Sequence, residues 1–217
     1  MSDLFPLWTH RLPRQLLVGG LLLATSVTAG VWYYFTPKYT RAGYQPLQPV
    51  PFSHATHVGQ LGMDCRYCHD GVERSAFANL PASATCMNCH NQVLKDDPRL
   101  APVRDNVLTG RPLAWVRVHR LPDYVYFNHA VHARRGVSCD RCHGPIQNTD
   151  ETAVAEPLSM SFCLDCHRNP APNLRPAAEV FNVNWRPTSA AQQLADGQRF
   201  VREWDVKRLD NCAACHR

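Results

Sequence analysis

A chain of 217 residues is long enough for one medium domain, and 17 Pro, 11 Gly and a mean hydropathy of −0.33 favour loops over long regular elements. The formal charge of +5 at pH 7 is not a nucleic-acid footprint, and no nucleic-acid partner is expected. All ten Cys fall into five close pairs, so the cysteines carry the first functional question.

Residues 1–14 hold Arg11 and Arg14 ahead of an uncharged stretch, QLLVGGLLLATSVTAGVWYYF, at residues 15–35. At a helical rise of 1.5 Å per residue this run covers roughly 31 Å, enough to cross a bilayer core. Trp8 on one side and Trp32, Tyr33, Tyr34 and Phe35 on the other suit interfacial aromatic belts. A cleaved signal peptide is the competing reading, and the length of the apolar run favours a retained transmembrane helix. Charges alone do not orient it, since Lys38 and Arg41 flank the far end. Residues 36–51 contain Pro37, Pro46, Pro49 and Pro51 and read as an extended, semi-rigid tether.

An internal duplication follows. Residues 52–90 open with Phe52-Ser53-His54-Ala55-Thr56-His57 and continue through Cys65-Arg66-Tyr67-Cys68-His69 to Cys86-Met87-Asn88-Cys89-His90. Residues 127–167 open with Phe127-Asn128-His129-Ala130-Val131-His132 and continue through Cys139-Asp140-Arg141-Cys142-His143 to Cys163-Leu164-Asp165-Cys166-His167. Both modules read F-x-H-x-x-H, a Gly-containing link, then C-x-x-C-H twice. Between them, residues 91–126 look mostly like loop, with short-strand composition at 115–119 and 124–126. Residues 168–188 are again Pro-rich. Residues 189–208 look helical, with Leu194, Phe200, Val201 and Trp204 at roughly helical spacing, and they lead to Cys212-Ala213-Ala214-Cys215-His216.

C-x-x-C-H is the attachment signature of a c-type haem. Two thiols form thioethers with the porphyrin vinyl groups, and the adjacent His is an axial ligand to the iron. Zinc knuckles and disulfide pairs also use C-x-x-C, but neither requires a His directly after every second Cys. The expected cofactors are therefore five haem c, attached through Cys65, Cys68, Cys86, Cys89, Cys139, Cys142, Cys163, Cys166, Cys212 and Cys215, with His69, His90, His143, His167 and His216 as proximal ligands. That leaves roughly 35 residues per haem, too few for a conventional core. The expected fold is a small, mainly irregular and α-helical multihaem domain, residues 52–217, with a haem-dominated core. Ten propionates would turn the +5 of the polypeptide into −5, and five ferric irons would return it to near zero. Haem c is attached outside the bacterial cytoplasmic membrane. The N-terminus is thus expected in the cytoplasm and the haem domain in the periplasm, on a single-pass anchor.

The chain has 11 His. Five follow the cysteines and His10 precedes the apolar helix, so His54, His57, His119, His129 and His132 remain as distal ligands for five irons. The match implies bis-His, six-coordinate, low-spin haems. His54 and His57 lie three apart on neighbouring faces of one turn, so they should serve different haems, and likewise His129 and His132. Met160, three residues before Cys163, is the alternative to the isolated His119. Met63 and Met87 also sit near haem sites, where a thioether packs well.

These modules resemble class III multihaem cytochromes. PFSHATHVGQLGMDCRYCH, VERSAFANLPASATCMNCH, VHRLPDYVYFNHAVHARRGVSCDRCHG and EPLSMSFCLDCHRNP, with one N-terminal span, more closely resemble the membrane-anchored pentahaem subunit of alternative complex III, a bacterial quinol oxidoreductase. The likeness covers most of residues 15–175. It implies an electron-relay subunit with an iron–sulfur protein, integral membrane quinol-binding subunits and a monohaem cytochrome c as partners. All ten Cys are spent on haem, and one membrane helix cannot enclose a quinol pocket, so relay rather than catalysis is expected here. The alternative is a quinol dehydrogenase anchor of the type feeding periplasmic nitrate or nitrite reductases. Those usually carry four haems, the first close behind the membrane; here 29 residues separate Phe35 from Cys65. A catalytic reductase would need a five-coordinate iron, which the His count disfavours.

Overall fold

The structure, a computed structural model, describes residues 6–35 and 41–216. It divides into two compact units, residues 1–40 and 41–217. Among its described residues the first unit forms a helix, α1 (Leu7–Phe35), which contains the expected span and begins earlier. The Thr9 backbone N–H and hydroxyl both donate to the Pro6 carbonyl, which closes the first turn ahead of the apolar run. Residues Arg11–Tyr34 have a mean hydropathy of 1.6 and none of the apolar window is buried. By length and composition this helix fits a membrane anchor or a signal sequence.

The expected tether is only partly described, since residues 36–40 lie outside the described residues. From Arg41 onward the segment belongs to the second unit. Gly43 N–H donates to the Val154 carbonyl and Val154 N–H to the Tyr44 carbonyl. The Gln48 amide brackets the backbone of Val116, and Val50 is buried. Removing residues 1–40 behind an export signal is therefore expected to release a haem-loaded domain that stays soluble without detergent. Recovery of haem-stained protein only from the detergent fraction would refute this.

The second unit is built from short helices and turns: a π-helical turn Ala55–Gln60, then α2 (Cys65–Cys68), α3 (Ser83–His90), α4 (Ala101–Thr109), α5 (His129–Arg134), α6 (Asp140–His143), α7 (Met160–Arg168), α8 (Ala190–Glu203) and α9 (Cys212–Cys215). Polar side chains start many of them. Asp64, Asn128, Ser159, Ser189 and Asn211 each accept a hydrogen bond from a first-turn N–H, which satisfies donors that so short a helix would otherwise leave open. The expected helix at 189–208 is α8, ending at Glu203. Two expectations for 91–126 need correction. A helix, α4, stands where loop was expected; Pro102 favours its first turn and Gly110, at φ +73°, closes its end. The strand-like run 115–119 forms no strand, because the Gln48 side chain takes the hydrogen bonds of Val116. Val125 pairs with His216 and Val137 with Leu174, both as isolated antiparallel bridges.

The packed interior is small. Its buried apolar residues include Val103, Leu174, Val180 and Phe200, while Leu108, Phe77 and Leu80 are largely exposed. That distribution fits a domain whose apolar centre is completed by porphyrin surface. Protein-on-protein packing is densest where α8 crosses the turn Ala171–Asn173. There Gly197 faces the Ala171 carbonyl so closely that a Cβ would overlap it, and Phe200 stacks on Trp204 with ring centroids 4.5 Å apart. Gly136, at φ +78°, lies beneath Trp204.

Candidate functional site: paired histidines at the C-x-x-C-H motifs

We number the C-x-x-C-H sites 1 to 5 in chain order. In the first module Phe52 stacks on His57 (centroids 4.4 Å apart) and meets His54 edge-on (4.9 Å). In the second, Phe127 stacks on His132 (4.7 Å) and meets His129 edge-on (4.8 Å). One aromatic ring thus fixes two imidazoles on each turn, aiming them apart.

The rings pair across the module in a repeated pattern. His54 faces His69 with centroids 6.5 Å apart and planes 8° from parallel, and His129 faces His143 at 6.5 Å and 11°. His57 meets His90 at 6.1 Å and 61°, and His132 meets His167 at 6.1 Å and 79°. An iron held between two imidazoles through Nε2 sets their centroids roughly 6 Å apart, two metal–nitrogen bonds of about 2 Å plus the ring radii. All four separations fit that requirement. The near-parallel geometry belongs to the first site of each module and the crossed geometry to the second.

Nδ1 is held at every one of these rings except His167, leaving Nε2 free. His69 bonds the Asn79 carbonyl (2.7 Å), His90 that of Val93 (2.9 Å), His57 that of Ser53 (2.8 Å), His129 that of Ala76 (2.8 Å) and His132 that of Asn128 (2.7 Å). His54 uses the Thr152 hydroxyl (3.4 Å). A carbonyl accepts only from N–H, so it places the proton on Nδ1 and turns the Nε2 lone pair toward the metal position. Burial pushes the pKa of His54 down to about 4 and that of His143 to about 3, helped by neighbouring imidazoles, and lowers that of His132. Each is neutral at pH 7, as a ligand must be.

The ten cysteines are free of disulfides. Among the described residues no group of three or more His, Cys, Asp or Glu side chains converges to hold a bare metal ion. The imidazoles stand instead in facing pairs with centroids 6.1–6.5 Å apart, which suits an iron held between two rings.

His119 stands apart from the expected pattern. Its ring lies 4.4 Å from that of His143, and its Nε2 is 3.3 Å from His143 Nδ1. It therefore occupies the position that a carbonyl or hydroxyl takes behind the other rings. At site 5, His216 packs against Tyr124 at 5.7 Å. Met160 opens α7 and is largely exposed. Sequence reasoning did not find Thr152 or the anchoring carbonyls. Backbone oxygens carry no residue signature, and a single Thr has no spacing to mark it.

Residues 105–196 match the cytochrome c552 family, and residues 50–105 match cytochrome c7 and related cytochromes c. A curated relative is the menaquinone reductase, multiheme cytochrome c subunit, of Nitratidesulfovibrio vulgaris (strain Hildenborough). It is 38% identical over 168 residues, covering 68% of this chain and 78% of that protein. A second match, 29% over 111 residues to Replicase polyprotein 1ab of porcine reproductive and respiratory syndrome virus, covers 46% of this chain but 3% of that polyprotein and supports no functional assignment. With paired imidazoles of ligand geometry behind the thiol pairs, the chain belongs to the multihaem c-type cytochromes and is an electron-transfer protein.

Proposed function

We propose that the chain carries five haem c groups and relays electrons between a membrane quinone pool and a periplasmic redox partner, as the pentahaem subunit of a quinol oxidoreductase of the alternative complex III type. The observation that carries this reading is the set of four imidazole pairs at 6.1–6.5 Å. Bound between them, haem supplies reversible one-electron chemistry, Fe(III) to Fe(II) and back. The protein's part is to saturate the iron from both sides, so that an electron passes without substrate binding. α1 would anchor the subunit with the haem domain on the periplasmic side, and quinol chemistry, with its protons, would fall to integral membrane partners. An iron–sulfur protein and a monohaem cytochrome c would complete the electron path.

A second reading reverses the current. The relative from N. vulgaris is named a menaquinone reductase subunit, so the same relay could deliver periplasmic electrons to quinone. Purification from native membranes in mild detergent, with partners identified by mass spectrometry and turnover measured both ways, separates the two. Quinol-dependent reduction of a cytochrome supports the first reading and quinone reduction by a reduced periplasmic carrier the second. Isolation as a lone subunit, or with a soluble nitrate or nitrite reductase, would overturn both.

The fifth distal ligand is the least constrained part of this reading. With His119 behind His143, Met160 is the alternative for site 5. Replacing His119 with Ala is expected to leave the number of low-spin haems unchanged. It should raise the potential of the haem at site 3 by on the order of 20–60 mV, because the lost hydrogen bond of roughly 1 kcal/mol had made His143 a more basic ligand to Fe(III). A high-spin haem appearing in the electron paramagnetic resonance spectrum would instead make His119 a ligand.

A further inference from the structure

We infer that the five sites lie in the spatial order 2–1–3–4–5, a single row in which the two modules meet head to head through sites 1 and 3. The inference rests on the five-haem relay reading and adds to it the connectivity, which chain order alone would give as 1–2–3–4–5.

The junction between modules is reciprocal. Ala55, directly after His54, donates its N–H to the Thr149 carbonyl (2.9 Å), and Ala130, directly after His129, donates to the Ser75 carbonyl (3.1 Å). Thr149 and Ser75 occupy matching places, each six residues after the His of the first C-x-x-C-H in its module. The distal rings cross over in the same way. His129 Nδ1 bonds the Ala76 carbonyl of the first module, and His54 Nδ1 bonds Thr152 of the second. Contacts that interchange when the two modules are exchanged mark a local two-fold relation, and it passes between sites 1 and 3.

Outward from that junction, each neighbouring pair is joined by residues in or beside the motifs. The Asn88 amide inside site 2 donates to the Tyr67 hydroxyl inside site 1 (3.0 Å). Arg141 inside site 3 lies over the Phe162 ring beside site 4, 5.1 Å from its centroid. Arg168, next to His167 of site 4, pairs with Asp210, two residues before site 5 (3.8 Å).

Sites 2 and 5 are then the ends of the row. Of the ten cysteines, the two classed as exposed are Cys89 of site 2 and Cys212 of site 5. The donor and the acceptor of electrons are accordingly placed at opposite ends, and sites 1, 3 and 4 carry current without meeting a partner.

The test is an experimental structure of the haem-loaded full chain in its native complex, with iron–iron distances ranked, beside an intact mass that counts haems. Nearest-neighbour irons 2–1, 1–3, 3–4 and 4–5 support the inference. Site 2 lying nearer to site 3, 4 or 5 than to site 1, or sites 1 and 3 not being neighbours, overturns it. A mass short of five haems counts against the five-haem reading alone, and the order of the irons present still decides this inference.

Discussion

Replacing His132 with Ala is expected to make one haem high-spin and leave the others unchanged. His132 faces His167 at 6.1 Å, and its Nδ1 is fixed by the Asn128 carbonyl, so Nε2 has no other role. The truncated side chain leaves an open position at site 4. The variant should bind carbon monoxide in its reduced form at one haem, where the parent binds none at that site. His132→Met refines the test, because a thioether in place of an imidazole raises the haem potential. The expected shift is on the order of 0.1 V, within the ~0.8 V that axial ligands span. Electron paramagnetic resonance reads the first effect and a spectroelectrochemical titration the second. An unaltered low-spin population in the Ala variant would remove His132 from the ligand set.

Gly197→Ala is expected to be the most damaging single-methyl change in the domain. Ala is ordinarily the better residue inside a helix, by about 1 kcal/mol. Here the added Cβ overlaps the Ala171 carbonyl, backbone that cannot rotate away, and α8 must shift off the turn beneath it. Overpacking of this kind costs about 1–3 kcal/mol, and the absence of a movable side chain puts the site at or above the upper end. The expected net loss is about 2 kcal/mol. The measurement is the thermal unfolding midpoint of the haem-loaded domain, together with occupancy of site 5, which follows α8 in the chain. A midpoint equal to or above that of the parent would show that α8 does not rest on Ala171 as described.

The sequence is most informative where covalent chemistry fixes spacing. Two thioethers and an iron demand Cys, Cys and His at set intervals, and all five C-x-x-C-H motifs can be read without a structure. The proposed distal ligands His54, His57, His129 and His132 are legible because the F-x-H-x-x-H turn occurs twice, and the structure brings each ring to the His of a C-x-x-C-H motif. His119 occurs once, and nothing in its neighbours tells that it packs behind His143. α4 was missed because its start and end signals, Pro102 and Gly110, flank a weakly patterned stretch, while strand composition at 115–119 was outweighed by one long-range side chain, Gln48. The crossing of the modules is written in backbone hydrogen bonds from Ala55 and Ala130, and residues chosen for their N–H leave no pattern to read.

The reciprocal junction, Ala55 to Thr149 and Ala130 to Ser75, has the form of a homodimer interface contained in one polypeptide. A free two-haem unit with those contacts would bind a second copy, with an occupancy set by concentration. Tandem duplication of such a unit removes that dependence, because a connector of 36 residues, 91–126, keeps the two halves at high effective concentration. Its length also has a physical reason: after the second attachment site the chain stands at the far end of the row and must travel back to the symmetry axis before the second copy can begin. Equal halves joined in this way need not stay equivalent. One can acquire an appendage such as α8 with the fifth site while the other remains bare, which gives a symmetric ancestor a direction.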